Sequence, residues 1–207
     1  MRSGGERQGE NAPRDGMPLV PALEILAEIR RPDQIVVTCM GSAREWPKLS
    51  QHALDFHYVP STMGGAVPMG LGLALAQPQR EVMVVSGDGA LLMSLGSLVT
   101  VMDSNAANLS IVLLDNGVYE VTGGQRTAAA QPGVDFAGVA RAIGYPHVGC
   151  FRSLEQWRSG AREILGRRGP RFVSLSVEAV REGYALAPPR PMKQQLRGLR
   201  EALGLRR

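Results

Sequence analysis

The chain has few aromatic residues, few cysteines and no long apolar run. Aromatic side chains make up 5% of its 207 residues, so leucine, valine, alanine and glycine must fill the core. The two cysteines, Cys39 and Cys150, each end an apolar run, which predicts two buried free thiols rather than a disulfide scaffold. No apolar segment approaches the ~20 residues of a membrane-spanning helix, and the N-terminus has no signal-peptide core. These absences predict a cytoplasmic protein that does not bind a membrane.

Positive charge exceeds negative charge, but the excess lies at one end of the chain. The formal net charge is +4. Residues 190–207 contain six basic residues and one acidic residue, which is more than the whole excess. The remaining chain is therefore close to neutral and lacks the basic face that a nucleic-acid-binding protein needs. The charge distribution predicts that nucleic acid is not a partner.

Apolar segments of strand length alternate with segments of helical spacing. The strand-like segments are 35–40, 54–59, 81–86, 109–114, 147–150 and 172–177. Between them, apolar residues recur at the spacing of one helix face, as in the stripe predicted over residues 91–102. This alternation predicts an α/β fold built on a doubly wound parallel sheet.

Composition indicates one domain with a tail at each end. Residues 1–16 contain no aromatic or β-branched residue and mix both charges, which predicts a disordered tail. Three prolines between positions 188 and 191 mark a boundary near the other end. We therefore predict a single domain over residues 17–187 and a basic C-terminal tail over residues 188–207.

Two oxygen-bearing side chains follow neighbouring strands of the predicted sheet. Asp88 stands between two glycines directly after one apolar strand, and Asn116 follows the next strand along the chain. Both side chains should reach the carboxyl edge of the sheet, where doubly wound folds bind their ligands. Mg²⁺ prefers oxygen ligands and often shares them with phosphate groups. The pattern predicts a site for Mg²⁺ and a diphosphate, with the backbone carbonyl of Val118 as a third protein ligand.

The residues around Asp88 suit a diphosphate. Gly87 and Gly89 allow the main chain to approach phosphate oxygens closely. The N–H groups of Gly89 and Ala90 open the following helix, and unpaired N–H groups at a helix start bind anions. An aspartate that only caps a strand-to-helix turn would have the same local sequence, so this alternative stays open.

Two longer stretches carry a family resemblance. The sequences SGDGALLMSLGSLVTV (86–101) and LLDNGVYEVTGGQ (113–125) resemble the cofactor-binding motif of thiamine-diphosphate-dependent enzymes, and are most similar to the phosphonopyruvate and sulfopyruvate decarboxylase group. The likeness covers about residues 20–185. It implies that Asp88, Asn116 and the Val118 carbonyl hold Mg²⁺. Asp115 departs from the Asn-Asn pair of many relatives, but the ligand is the second residue of that pair.

The segment 60–65 carries the second part of the resemblance. In this family a bulky apolar residue before a glycine separates the two cofactor rings, and Met63 matches it. Two residues earlier, a backbone carbonyl accepts a hydrogen bond from the 4′-amino group, and Ser61 matches that position. The resemblance thus implies catalytic roles for Met63 and Ser61, because proton transfer within the cofactor needs short contacts. A core methionine that fills a gap is the alternative.

Other polar residues near these motifs have weaker assignments. Gly41 and Ser42 follow the first strand, where contact with the diphosphate and an ordinary helix cap are both open interpretations. Tyr119, Glu120 and Gln125 lie on the loop after Asn116, where they could cover the cofactor or the substrate. For Glu120 a solvated loop acid is the favoured interpretation, and we assign it no catalytic role. His52 and His57 flank the second strand and are predicted to be structural histidines.

A dinucleotide site is a competing interpretation of the glycines. Gly70 and Gly72 precede Asp88 in a pattern that imitates a dinucleotide fingerprint. They fall in a predicted helix, however, whereas the fingerprint needs its glycines in the turn between a strand and a helix. The order of elements therefore disfavours this alternative.

The resemblance also implies a partner. Members of the family carry their activating glutamate on a separate pyrimidine-binding domain, and 207 residues have room for one domain. We expect a split enzyme, a heterotetramer in which a second subunit supplies that glutamate. The implied activity is a lyase reaction, the decarboxylation of a small 2-oxo acid. An acetolactate-synthase-like carboligase subunit and a non-catalytic scaffold relative are the alternatives.

Overall fold

A computed structural model describes residues 16–128, 130, 133–180 and 187–205. The tail predicted over residues 1–16 lies outside these ranges except for its last residue. The strands are β1 (Ile35–Thr38), β2 (Asp55–His57), β3 (Val82–Gly87), β4 (Leu109–Asp115), β5 (Val118–Tyr119), β6 (Gln125–Arg126), β7 (His147–Phe151) and β8 (Arg171–Ser176). The helices are α1 (Leu19–Ile29), α2 (Gly41–Leu49), α3 (Ala66–Ala76), α4 (Asp88–Leu92), α5 (Ser97–Asp103), α6 (Phe136–Ile143), α7 (Leu154–Gly166) and α8 (Met192–Ala202).

Six of the strands form one parallel sheet, in the order β2-β1-β3-β4-β8-β7. The chain leaves β1 for β2 on one side and returns to β3 on the other side, so the strand order reverses between β1 and β3. Ligands of open α/β sheets bind beyond the carboxyl ends of the strands at such a reversal. The sheet therefore directs attention to the residues that follow β1 and β3.

The central strands are buried on both faces. Along β3, Val82 and Val84 belong to one apolar cluster, whereas Met83 and Val85 belong to the other. Successive side chains of a strand point to opposite faces, so each face needs its own cover. Helices α1, α2 and α7 cover one face, and α3 to α6 with α8 cover the other. The predicted α/β, doubly wound parallel sheet is confirmed.

One predicted helix is interrupted. The stripe over residues 91–102 belongs to α4 and α5, which are separated by turns at residues 93–96. The apolar spacing continues across the break because both helices pack on the same core, with Leu91 and Leu98 buried. Ser94 lies in the break, and its hydroxyl donates a 2.7 Å hydrogen bond to the carbonyl of Gly64. The interruption therefore ties this segment to the turn before α3.

The predicted burial of the two thiols holds for one of them. Cys39 is buried at the end of β1, but Cys150 is exposed. Cys150 lies on β7, which is an edge strand of the sheet. A side chain of an edge strand has neighbouring strands on one side only, so an apolar run there does not guarantee burial.

The last helix packs on the opposite edge strand. Gln195 of α8 is buried, and its Oε1 accepts a 3.0 Å hydrogen bond from the backbone N–H of His57. Leu199 joins the core. His57 is itself buried, and its Nδ1 lies 2.8 Å from Oγ1 of Thr38, as a structural histidine would. The basic segment thus contacts the domain, while the boundaries at 16/17 and 187/188 stay predictions.

None of the helices in the described part of the chain combines the length and the apolarity needed to span a bilayer.

Candidate active site

The predicted site residues come together at the carboxyl edge of the sheet. A cleft opens there, beyond the ends of β1, β3 and β4. All predicted site residues except Ser61 line it, namely Met63, Gly87, Asp88, Gly89, Ala90, Asn116, Val118 and Tyr119. Residues from separate parts of the sequence therefore share one concave surface, which is the usual form of a small-molecule site.

Asp88 is a buried carboxylate at the floor of this cleft. Its side chain is 1% exposed, and its Oδ2 accepts a 2.8 Å hydrogen bond from Oγ1 of Thr127. Burial raises the pKa of Asp88 to about 6, the hydrogen bond from Thr127 opposes this rise, and the negative charge of Asp115 adds to it. The negative charge of Asp88 is therefore costly in the free protein. A cation at this position would remove the cost.

Asn116 follows β4, and hydrogen bonds fix the orientation of its amide. Oδ1 accepts a 3.0 Å hydrogen bond from the backbone N–H of Val118, and Nδ2 donates a 2.8 Å hydrogen bond to Oε1 of Glu120. A carbonyl oxygen has two lone pairs, so Oδ1 keeps one for a further partner. Since Asn116 lines the cleft, it can offer a neutral oxygen ligand beside Asp88.

The loop after Asn116 folds back over the cleft as a short hairpin. Strands β5 and β6 pair Val118 with Arg126, and the N–H of Thr127 donates a 2.8 Å hydrogen bond to the carbonyl of Gly117. This return brings the hydroxyl of Thr127 to Asp88. The segment after Asn116 therefore contains a β-hairpin, which places Thr127 beside Asp88.

The two glycines around Asp88 serve different purposes. A Cβ on Gly89 would lie 2.5 Å from Cε1 of Tyr119, so only glycine lets that ring pack against the start of α4. A Cβ on Gly87 would meet no atom closer than the carbonyl oxygen of Leu114 at 4.0 Å. The space beside Gly87 is thus open, as a group that approaches the main chain requires.

Met63 lines the cleft from the side of α3, whereas Ser61 does not line it. Gly64, directly after Met63, has a φ of +89°, a conformation that favours glycine. The hydroxyl of Ser61 lies 3.9 Å from Sδ of Met40. The role predicted for Ser61 concerns its backbone carbonyl and stays a prediction, as does the role of Met63 between the cofactor rings.

Gly41 and Ser42 line the cleft, but the hydroxyl of Ser42 is used within the protein. It donates a 2.8 Å hydrogen bond to the carbonyl of Val85 and accepts a 3.1 Å hydrogen bond from the N–H of Cys39. These bonds join the ends of β1 and β3. The hydroxyl of Ser42 therefore has a structural role. Any contact of Gly41 or Ser42 with a ligand would involve their backbone atoms.

The oxygen donors in the cleft fit Mg²⁺. Asp88 has a buried carboxylate and Asn116 an amide oxygen, and the backbone carbonyl of Val118, another lining residue, would be the third donor. Within the described ranges, no group of three or more His, Cys, Asp or Glu side chains could hold a metal ion. A site with one carboxylate is nevertheless what Mg²⁺ uses when phosphates and water complete its shell.

Two residues of the site escaped prediction from the sequence. Glu120 was expected to be a solvated loop acid, but it is half-buried and accepts hydrogen bonds from Asn116 and from the backbone N–H of Val180, each at 2.8 Å. Burial raises its pKa. Thr127 reaches Asp88 only because the hairpin returns to it, and no sequence pattern signals that contact.

Comparison with known proteins gives the site a context. Residues 34–175 match the family model described as thiamine pyrophosphate enzyme, C-terminal TPP binding domain. The chain is 41% identical over 172 residues to phosphonopyruvate decarboxylase from Streptomyces viridochromogenes, an alignment that covers 83% of this chain and 42% of that protein. It is also 42% identical over 147 residues to sulfopyruvate decarboxylase subunit beta from Methanothermobacter thermautotrophicus, covering 70% of this chain and 75% of the subunit.

The extent of these matches differs between the relatives. The chain spans less than half the length of the phosphonopyruvate decarboxylases that it matches. Among solved structures, benzoylformate decarboxylase from Polynucleobacter necessarius superposes with a TM-score of 0.68 at 19% identity, covering 81% of this chain and 34% of that one. At this identity the likeness supports the fold alone.

Proposed function

The chain belongs to the thiamine pyrophosphate enzymes through their C-terminal cofactor-binding domain, and on this premise we propose that its cleft binds the diphosphate of thiamine diphosphate through Mg²⁺. Asp88, Asn116 and the carbonyl of Val118 would be the protein ligands. The observation that carries the proposal is the buried carboxylate of Asp88, which lies beside open space at Gly87 and a neutral amide oxygen. A divalent cation and a diphosphate together match these groups in charge and size.

The protein's contribution to catalysis would be orientation. Thiamine diphosphate, when bound, supplies the electron sink for cleavage of the bond next to a ketone. Met63 would hold the two rings in the angle that brings the 4′-amino group near the thiazolium carbon. The carbonyl of Ser61 would accept a hydrogen bond from that amino group, and Tyr119 would cover the cofactor. These assignments are supported by the match of residues 60–65 and 113–125 to the family pattern.

The reaction that we propose is decarboxylation of a small 2-oxo acid, as a lyase. Relatives named phosphonopyruvate decarboxylase and sulfopyruvate decarboxylase support this choice over other outcomes of the same chemistry. Carboligation, as in acetolactate-synthase-like enzymes, would differ only after the carbon dioxide has left. A scaffold without catalysis would retain the fold but would have no need of a buried, desolvated carboxylate at Asp88.

The complete active site would need a second subunit. The relatives named subunit beta, of which this chain covers 69 to 75%, support a partner that carries the pyrimidine-binding domain and the activating glutamate. We propose a heterotetramer with two copies of each subunit, in the cytoplasm. The proposal includes no membrane or nucleic-acid partner, since the basic excess is confined to residues 190–207.

A product assay tests this function. The chain is co-expressed with the partner that carries the pyrimidine-binding domain, and phosphonopyruvate, sulfopyruvate and pyruvate are supplied with Mg²⁺ and thiamine diphosphate. We expect carbon dioxide and a free aldehyde from at least one acid, and no product from the Asp88→Ala complex. An acyloin product would assign carboligation instead. Cofactor binding without turnover of any of these acids would contradict the decarboxylase assignment.

A further inference from the structure

We propose that Glu120 is a positioning residue, which fixes the orientation of the Asn116 amide and links it to the chain that leaves β8. The inference rests on the proposed function, because it concerns how one proposed metal ligand is held. The sequence alone assigns Glu120 no catalytic role. Its carboxylate nevertheless contacts Asn116 directly and lies on the wall of the same cleft.

The hydrogen bonds around Asn116 allow only one orientation of its amide. In the observed orientation, Nδ2 donates to Oε1 of Glu120 at 2.8 Å and Oδ1 accepts from the N–H of Val118 at 3.0 Å. A half-turn of the amide would set its NH₂ group against the N–H of Val118 and its oxygen against the carboxylate. Both contacts would then be repulsive. Without Glu120, only the bond from Val118 would oppose that half-turn.

The same carboxylate oxygen also holds a second loop. Oε1 of Glu120 accepts a 2.8 Å hydrogen bond from the backbone N–H of Val180, which follows β8. This exit runs beside the end of β4, where the N–H of Val177 donates a 3.1 Å bond to the carbonyl of Asp115. Glu120 therefore joins the β4–β5 turn to the β8 exit. One oxygen atom therefore bonds both to the amide of Asn116 and to the backbone at Val180.

The link depends on the reach and the accepting oxygen of Glu120. Glutamine presents a similar oxygen at the same reach, so Glu120→Gln should retain both bonds at reduced strength. Aspartate keeps the charge but is one methylene shorter, and alanine removes the acceptor. Glu178 lies two residues before Val180 and is exposed, which makes Glu178→Ala a matched control for loss of a carboxylate on the same loop.

The test is a titration of the full chain with Mn²⁺, in complex with its partner and at saturating thiamine diphosphate. The readouts are the calorimetric Kd and the electron paramagnetic resonance spectrum of bound Mn²⁺. We expect Glu120→Ala and Glu120→Asp to weaken Mn²⁺ binding by about 10 to 100-fold, the usual effect of removing a group that orients a ligand. Glu120→Gln should lose less than about threefold, and Glu178→Ala should match the wild type.

A second readout separates positioning from general stability. Hydrogen exchange should become faster at the N–H of Val180 in Glu120→Ala and Glu120→Asp, but not in Glu120→Gln, while the core amides of β3 and β4 stay protected. Wild-type Mn²⁺ affinity in both the alanine and the aspartate variants would overturn the inference. So would a loss in Glu120→Gln as large as in Glu120→Asp. If the wild type itself bound neither Mn²⁺ nor thiamine diphosphate, the proposed function would fail instead.

Discussion

Asp88 illustrates how a single residue can be unfavourable for the free protein and favourable for its complex. Its carboxylate is buried with a hydroxyl from Thr127 and lies within reach of the negative charge of Asp115. An aspartate held by a cation or by several hydrogen-bond donors has a lowered pKa, whereas burial raises the pKa of Asp88 from 3.8 to about 6. Residues that a fold keeps at a cost to its stability are frequently those that bind a ligand.

Removal of this charge should stabilise the metal-free protein at neutral pH. A raised native pKa contributes stability that is fully present below the unfolded value of 3.8 and is lost as the pH rises through about 6. We therefore expect Asp88→Asn to have a higher free energy of unfolding than the wild type at pH 7, by about 1–3 kcal/mol. The difference should shrink towards pH 4. Urea unfolding of both proteins, without metal, at several pH values measures it.

The ligand-bound proteins supply the control for this prediction. Saturating Mg²⁺ and thiamine diphosphate should stabilise the wild type and leave Asp88→Asn unchanged, because only the wild type binds the ion. If Asp88→Asn is less stable than the metal-free wild type at pH 7, the buried carboxylate does not destabilise the free protein, and the prediction is wrong.

At the scale of residues, the sequence predicts the site residues that belong to a motif. It does not predict those that reach the site through the path of a loop. Asp88 and Asn116 each follow a strand, so the topology alone brings both to one edge. Thr127 and Glu120 reach the site through the return of the β5–β6 hairpin and the exit of β8. Those contacts depend on tertiary structure, and a short uncharged or acidic side chain in a glycine-rich loop has no signature of its own.

At the scale of elements, helix α3 packs so closely on β3 that a glycine on its β3 side has no room for a side chain. A glycine on its other side has room. A Cβ on Gly70 would be 2.1 Å from Cγ2 of Val84, whereas a Cβ on Gly72 would meet no atom within 4 Å. We expect Gly70→Ala to destabilise the protein by about 1–3 kcal/mol through overpacking. Gly72→Ala should stabilise it by about 0.4–1 kcal/mol, because it restricts the unfolded chain.

Thermal and urea unfolding of the two alanine variants measure this contrast. The pair carries the same chemical change on the same helix, so helix propensity cancels between them. Equal stabilities of Gly70→Ala and Gly72→Ala would mean that α3 can move away from β3 without cost, contrary to the close contact between them.

The break between α4 and α5 supports the turn that presents Met63. The hydroxyl of Ser94 donates to the carbonyl of Gly64 at 2.7 Å, next to the residue proposed to separate the cofactor rings. Ser94→Ala should lower stability by only about 1 kcal/mol. It should slow hydrogen exchange at the thiazolium carbon of bound thiamine diphosphate by about tenfold or more, because small displacements of reacting groups are costly.

Nuclear magnetic resonance of the bound cofactor measures that exchange, and calorimetry measures its affinity. The diphosphate contacts remain in Ser94→Ala, so the affinity should change less than about threefold. Ser97→Ala is the matched control, since the hydroxyl of Ser97 is buried without a hydrogen-bond partner within the described residues. A slower exchange in both serine variants alike would argue against a specific role for the bond to Gly64.

Strands were predictable from the sequence where they are buried on both faces of the sheet, because such strands form short, continuous buried runs. The central strands β3 and β4 are buried at nearly every position, and their bounds agree with the sequence pattern to within about a residue. The break at residues 93–96 was not predictable, because Leu91, Leu95 and Leu98 keep their spacing across it. The exposure of Cys150 was missed for a related reason, since an apolar run does not say whether its strand lies at an edge.

At the scale of the whole molecule, strand order explains why the site lies where it does. The order β2-β1-β3-β4-β8-β7 reverses between β1 and β3, and the cleft opens beyond these strand ends. The alternation of strands and helices was sufficient to predict the fold class. The position of α8 against β2 was not, because a basic segment after three prolines gives no sign that Gln195 and Leu199 would be buried.

In the proposed site, a divalent ion held by Asp88 and Asn116 binds the diphosphate of the cofactor. Calorimetry tests this binding. The chain, with its partner present, is titrated with thiamine diphosphate, once with Mg²⁺ and once without it. We expect the wild type to bind thiamine diphosphate tightly only with Mg²⁺, and Asp88→Ala to bind it at least about 100-fold more weakly. Equal affinity of the wild type and Asp88→Ala for thiamine diphosphate in the presence of Mg²⁺ would contradict it.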